Sequence, residues 1–150
     1  MTATPVVGTV LAEFDAVLDR ARVWRVDWAV GLDVPEYQDP EVARSAGHPD
    51  IPVPPGALVL FSFLPDDSWL ERAGICFDRS LAVRRQIRNH RQLCVGDVVH
   101  GLSLIDTVEV RSSTKATIVT TVIATRYSVD GELAAEESVT YSTHHPEEMR

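Results

Sequence analysis

Apolar residues follow two rhythms along this chain: helical or irregular up to about Ala73, and alternating beyond it. Val10, Leu11, Phe14, Val17 and Leu18 fit one face of a helix. Val10, Ala12, Phe14 and Ala16 equally fit a strand, so the pattern leaves both open. Asp19 can cap a helix over Arg20 to Val30, where Val23, Val26 and Val30 keep helical spacing and Gly31 supplies the stop. Asp39 as N-cap, Pro40 at the first helical position and Gly47 as terminator predict a short helix over Glu41 to Ala46. Three prolines between Asp50 and Gly56 then exclude regular structure. The segment Ala57 to Leu64 has one hydroxyl and no charge. It predicts a helix enclosed by protein on every side, with a buried strand as the alternative. Pro65 ends it, and Asp66 to Ala73 reads as a short polar helix anchored by Trp69 and Leu70.

The second half predicts strands. Leu81, Val83, Arg85, Ile87 and Asn89 alternate with Ala82, Arg84, Gln86 and Arg88, which places Arg84 and Arg88 on one face and Arg85 on the other. Val95-Gly96-Asp97 is a turn, followed by strands over Val98 to Val110 and Thr114 to Val129, rich in β-branched residues. Asp130-Gly131 predicts a two-residue hairpin into a last strand, Glu132 to Thr143. Long antiparallel strands must cover something apolar, and Ala57 to Leu64 is the candidate. The fold class is α+β: one antiparallel β-sheet wrapped around a buried apolar helix, over residues 1–150, with short tails at about 1–8 and 144–150.

Composition narrows the functions. A chain of 150 residues with 45% apolar and 24% charged residues suits one globular domain. A net charge of −8 opposes nucleic-acid binding, which needs a basic face. No apolar run approaches the roughly 20 residues that span a bilayer, and Met1-Thr2-Ala3-Thr4-Pro5 lacks the cationic flank of a signal peptide. A cytoplasmic protein with two reduced thiols, Cys76 and Cys94, is the expectation. His144 and His145 sit in the polar tail and offer no ligand geometry, so no metal and no cofactor is expected.

Several short motifs, in order, resemble the MaoC-like hot-dog dehydratases, especially the non-catalytic halves and subunits of (R)-specific 3-hydroxyacyl thioester dehydratases. They are the run from Ala29-Val30-Gly31-Leu32-Asp33 through Val34-Pro35-Glu36-Tyr37-Gln38 to Asp39-Pro40-Glu41, then Ala43-Arg44-Ser45-Ala46-Gly47. Ile51-Pro52-Val53-Pro54-Pro55, Val95-Gly96-Asp97 and Asp130-Gly131-Glu132-Leu133-Ala134 follow, so the likeness runs from about Arg22 to Thr143. The resemblance implies reversible loss of water from a 3-hydroxyacyl thioester of CoA or a carrier protein. That chemistry needs a base near the α-carbon, an acid for the hydroxyl and donors for the thioester oxygen. The family's Asp and His, five residues apart, fall here on Leu32 and Tyr37, neither of which is a competent base at neutral pH.

Three functions follow from that loss. The chain is the acyl-binding partner of a homologous catalytic hot-dog subunit, in a heterodimer or heterotetramer. Alternatively, a homodimer uses a displaced pair, Asp33 with His48 or Tyr37. As a third, it is a hot-dog thioesterase, although these bring a carboxylate to the central helix and Ala57 to Leu64 has none. The resemblance implies that backbone donors at Gly56 and Ala57 hold the carbonyl. It also implies that Pro55, Leu58, Leu60, Phe61 and Phe63 wall the acyl chain. Arg84, Arg85, Arg88 and Arg91, in an otherwise acidic chain, suit phosphate or inter-subunit carboxylates. Trp24 and Trp28, four apart, suit a core or an oligomer interface.

Overall fold

The computed structural model describes residues 5–61 and 68–146. Among them, one antiparallel sheet has the order β1-β3-β4-β5-β2, built from β1 (Val10–Val17), β2 (Ser80–Asn89), β3 (Val98–Ser112), β4 (Ala116–Val129) and β5 (Glu132–Pro146). The stretch that suited either helix or strand is β1. Local pattern did not decide it; the free edge of β3 did, pairing Ala12 with Ser103 and Phe14 with Gly101. The β4–β5 turn is the expected hairpin, with Asp130 and Gly131 both at positive φ, 52° and 80°.

The caps read from sequence are those observed. Helix α1 (Arg20–Val30) begins where the Asp19 carboxylate accepts from the Arg22 N–H, and ends at Gly31 in the left-handed region. Helix α2 (Pro40–Ser45) starts under the Asp39 side chain, which accepts from the Glu41 N–H. Helix α3 (Ser68–Arg72) falls within the predicted polar helix, whose first two positions, Asp66 and Asp67, lie outside the described residues.

The central segment is tighter than expected. Ala57–Leu60 is a 3-10 turn, entered through Gly56 at φ 87°. A residue with a side chain is strained at that φ. Leu64 and Phe63, the far end of the predicted helix, lie outside the described residues. Leu58 and Phe61 are nonetheless buried on the concave face, in a cluster with Leu18, Val23, Val99 and Tyr127. Each such side chain contributes about 1.5–3 kcal/mol. A second cluster, Leu11, Leu70, Ala73, Ile75, Ile105 and Ile123, closes the other end.

Three expectations need correction. His144 and His145 are not in a tail: they lie in β5, paired with Ile118 and Thr117, and successive strand residues point to opposite faces. Leu81 does not share a face with Arg85, because the β2–β5 register shifts between Ala82 and Arg84 and the extra residue there, Val83, is a bulge. Trp24 and Trp28 are exposed, 57% and 77%, so they belong to no core.

Gly101 shows what the wrap demands. It pairs with both Phe14 and Tyr127, and the Phe14 ring lies directly over its Cα, edge-on to Tyr127 at 6.4 Å between centroids. A Cβ at Gly101 would overlap the ring. Gly101→Ala is expected to lower stability by about 1–3 kcal/mol, with part of the loss recovered in Phe14→Leu/Gly101→Ala, measured by thermal unfolding.

Candidate functional site

A cavity of about 310 Å³ opens where the proline segment meets the end of β2, lined by Val53, Pro54, Pro55, Leu58, Asn89, His90, Arg91, Gln92 and Leu93. Backbone pairing holds its walls together. The Val53 N–H donates to the Leu93 carbonyl at 2.7 Å, and the Val95 N–H to the Ile51 carbonyl at 2.8 Å. The Gln92 amide donates to the carbonyls of Val53 and Leu93 at 3.0 and 2.7 Å. The floor is apolar and the rim cationic. Such a surface suits an apolar chain with an anionic head, and its wall includes the His90 imidazole, whose Nε2 lies 2.8 Å from Glu136.

The sequence-predicted residues are partly brought together. Pro55 and Leu58 line the cavity. Leu60 is half-buried and packs on the core cluster that contains Phe61, and the Arg22 guanidinium lies 5.4 Å from the Phe61 ring centre. Ala57 is fully buried and its N–H is already committed to the Pro54 carbonyl at 3.1 Å, so it is not the free donor expected of it. Asp33 is exposed, with only a long contact, 3.5 Å, from the Gln38 amide. Tyr37, in the 3-10 turn Pro35–Tyr37, is half-buried, as is His48. Among the described residues, no hydrogen bond or ion pair joins Asp33 to either.

The arginines divide between the two faces. Arg85 faces inward opposite Val139 and meets the buried Glu137, its Nε 2.6 Å from Oε1. Arg91 lies 4.0 Å from Asp97. Arg84 and Arg88 remain outward, on the convex face, with no ion pair within 4 Å among the described residues. The four do not form one phosphate cradle.

Two histidines meet carboxylates among the described residues outside the expected positions. His90 Nε2 lies 2.8 Å from Glu136, and His100 bridges Asp15 at 2.9 Å and Glu13 at 3.1 Å. The hydrogen bond from His90 holds the Glu136 carboxyl below its ordinary range, and the one to Asp15 holds the His100 imidazolium above its own. Glu136, His100 and Asp15 all alternate with inward residues on their strands; the His100 contacts therefore lie on the convex side, while His90, past the end of β2, lines the same cavity as Leu58.

The concave face holds what the sequence reading missed. Ser103, Thr125 and Glu137 are register partners in one row across β3, β4 and β5, and all three are buried. The Ser103 and Thr125 hydroxyls are 2.7 Å apart, and the Tyr127 hydroxyl donates to Glu137 at 2.7 Å. Glu137 Oε1 receives the Arg85 charge without an aligned hydrogen bond. The signal was present: Glu137 falls on the inward parity between Ala135 and Val139. Asp27 is the other surprise. On the buried face of α1 with Val23, 2% exposed, its two carboxylate oxygens have no partner, and burial pushes its pKa up.

The model of the FAS1-like dehydratase domain region matches residues 5–137. A UPF0336 protein of Saccharopolyspora erythraea is 30% identical over 100 residues, which are 65% of this chain and 62% of that protein. The chain thus spans less than two thirds of that relative's length. Among solved structures, the C-terminally truncated HadBC (3R-hydroxyacyl-ACP dehydratase) complex of Mycobacterium tuberculosis superposes with a TM-score of 0.75 at 20% identity, over 93% of this chain and 98% of that one. The ChsH1–ChsH2 complex of the same organism gives 0.71 at 21%, over 88% and 85%. The (R)-hydratase of A. caviae involved in PHA biosynthesis gives 0.68 at 18%, over 91% and 95%. These likenesses establish the hot-dog fold.

Two predictions come from the buried acids. The raised Asp27 value means the fold bears no penalty while the group is protonated in both states; stability falls as pH rises from the unfolded value through the folded one. Asp27→Asn is therefore expected to raise the unfolding temperature at pH 7 by about 2–4 °C, for a gain of about 1 kcal/mol, and the gain should vanish below about pH 4. An equal gain at both pH values would contradict this. Arg85→Met leaves Glu137 buried without its cation, so it should destabilise by about 3 kcal/mol, against about 0.5 kcal/mol or less for Arg84→Met, read by denaturant titration.

Proposed function

This chain belongs to the FAS1-like dehydratase domain family, a family of hot-dog dehydratases, and on that premise we propose that it is the acyl-binding, non-catalytic subunit of a 3-hydroxyacyl thioester dehydratase. One observation carries the reading: Leu32 and Tyr37 occupy the positions that the family motif gives to base and acid, and among the described residues the neighbouring Asp33 makes no hydrogen bond or ion pair with Tyr37 or His48. Elimination needs a base to take the α-proton, an acid to protonate the departing hydroxyl, and donors for the negative charge on the thioester oxygen. This chain supplies an apolar wall, from Leu58 and its proline segment, beside a cationic rim at Arg91. A related chain with the Asp and His supplies the proton transfers. The superposition on the HadBC and ChsH1–ChsH2 complexes supports a partner of the same fold, and the substrate is then an acyl thioester of CoA or of a carrier protein.

The test installs what is missing. Wild-type chain is expected to hydrate a crotonyl thioester no faster than buffer. Leu32→Asp/Tyr37→His, alone or mixed with wild type, should raise the rate at least tenfold, followed by loss of enoyl absorbance. Wild-type turnover abolished by Asp33→Asn would contradict the proposal, and release of free thiol would replace it with thioester hydrolysis.

A further inference from the structure

Helix α1 buries Val23 and Asp27 and leaves its opposite side bare. Arg20, Ala21, Trp24, Arg25, Trp28 and Ala29 recur on that side at helical spacing, and all six are exposed. Neighbouring exposed indoles with arginines beside them are the composition of an interaction surface.

Every polar side chain on this side is a donor. Indole and guanidinium nitrogens donate and do not accept. Arg20 gives one N–H to the Gln38 carbonyl at 3.1 Å, and Arg25 makes no hydrogen bond or ion pair among the described residues. The acid of the helix, Asp27, is buried on the far side. A partner must therefore bring acceptors, carboxylates above all, together with apolar side chains that cover the indoles. A second copy of the same face brings no acceptor. A membrane or a nucleic acid brings anionic groups, but it confronts much of a chain whose net charge is −8. A single acidic helix feels chiefly α1, since charges beyond about 10 Å are screened at 0.1 M salt.

The placement of α1 says what such a helix would carry. Val23 shares a buried cluster with Leu58, which lines the cavity, so the bare side lies one helix diameter, roughly 10 Å, from that packing. A protein docked there holds a flexible thioester arm within reach of the cavity, whereas CoA brings no helix. We propose that this side of α1 is the docking surface for the acidic, amphipathic helix of a carrier protein, whose carboxylates meet Arg20 and Arg25 and whose apolar residues cover Trp24 and Trp28. Only the thioester that the carrier brings rests on the proposed function; the carrier-protein thioester is then the substrate in preference to the CoA one.

The probe is a small acidic acyl carrier protein, apo and crotonylated, titrated into the full chain at low salt and followed by native mass spectrometry and indole fluorescence. Both forms should give a one-to-one complex that weakens as salt rises. Trp28→Ala and Arg25→Glu should each weaken it at least tenfold. Arg111→Glu, which makes the same change of net charge at an exposed cation on β3, should leave it unchanged. Crotonyl-CoA should bind every variant as it binds wild type. Should Trp28→Ala or Arg25→Glu not fold by circular dichroism, Arg25→Gln should still weaken the complex at least threefold. No complex with the apo form, or an equal loss in Arg111→Glu, overturns the proposal. So does self-association, or binding of anionic phospholipid vesicles, that depends on Trp28 and is as tight as the carrier complex. Crotonyl-CoA that fails to bind while the apo carrier docks counts against the proposed function and leaves this surface standing. Crotonyl-CoA bound without turnover by a chain that ignores the carrier does the reverse.

Discussion

The concave face of the sheet has to be covered, and the segment that enters through Gly56 covers its centre. Leu58 and Phe61 reach the core against Tyr127 and Val99 because the chain turns sharply there, after a proline run too stiff to form a helix of its own. The cavity walls, the commitment of the Ala57 N–H and the placement of the proline segment against Leu93 all follow from that entry. The rest of the sheet adapts to it: Gly101 gives up its side chain so that the Phe14 ring can lie across the strand.

The apolar floor lies on the concave side and the His100 contacts on the convex side, while His90, which meets Glu136, stands in the wall of the cavity. The exposed carboxylate nearest the family motif, Asp33, touches only Gln38. The buried acids of the concave side, Glu137 and Asp27, are held in different ways. One is satisfied by Tyr127 and Arg85, and the other is left without a partner. A satisfied buried acid specifies one arrangement, whereas an orphaned one costs stability at neutral pH.

What the sequence made legible was local. The Asp19 and Asp39 caps, the Gly31 stop and the Asp130-Gly131 hairpin each depend on a few neighbouring residues, and each stands where expected. The wrap of the sheet over the apolar segment was legible too, because that segment had no polar face to turn to water. What was lost depends on pairing. β1 became a strand because β3 had a free edge, Leu81 changed face at a bulge, and the histidine pair joined β5 through its register with β4. The Ser103–Thr125–Glu137 row exists only once three strands are aligned, although the parity of Glu137 on β5 could have announced its part in it.

The most direct measurement sets affinity beside turnover. The wild-type chain is titrated with crotonyl-CoA by calorimetry, and in the same buffer the α-carbon of the thioester is followed by NMR in deuterated water. Saturable binding with neither deuterium uptake nor 3-hydroxy product is the expected result. Deuterium uptake by the lone chain at a rate proportional to its bound fraction would mean it carries its own base, and would contradict the account.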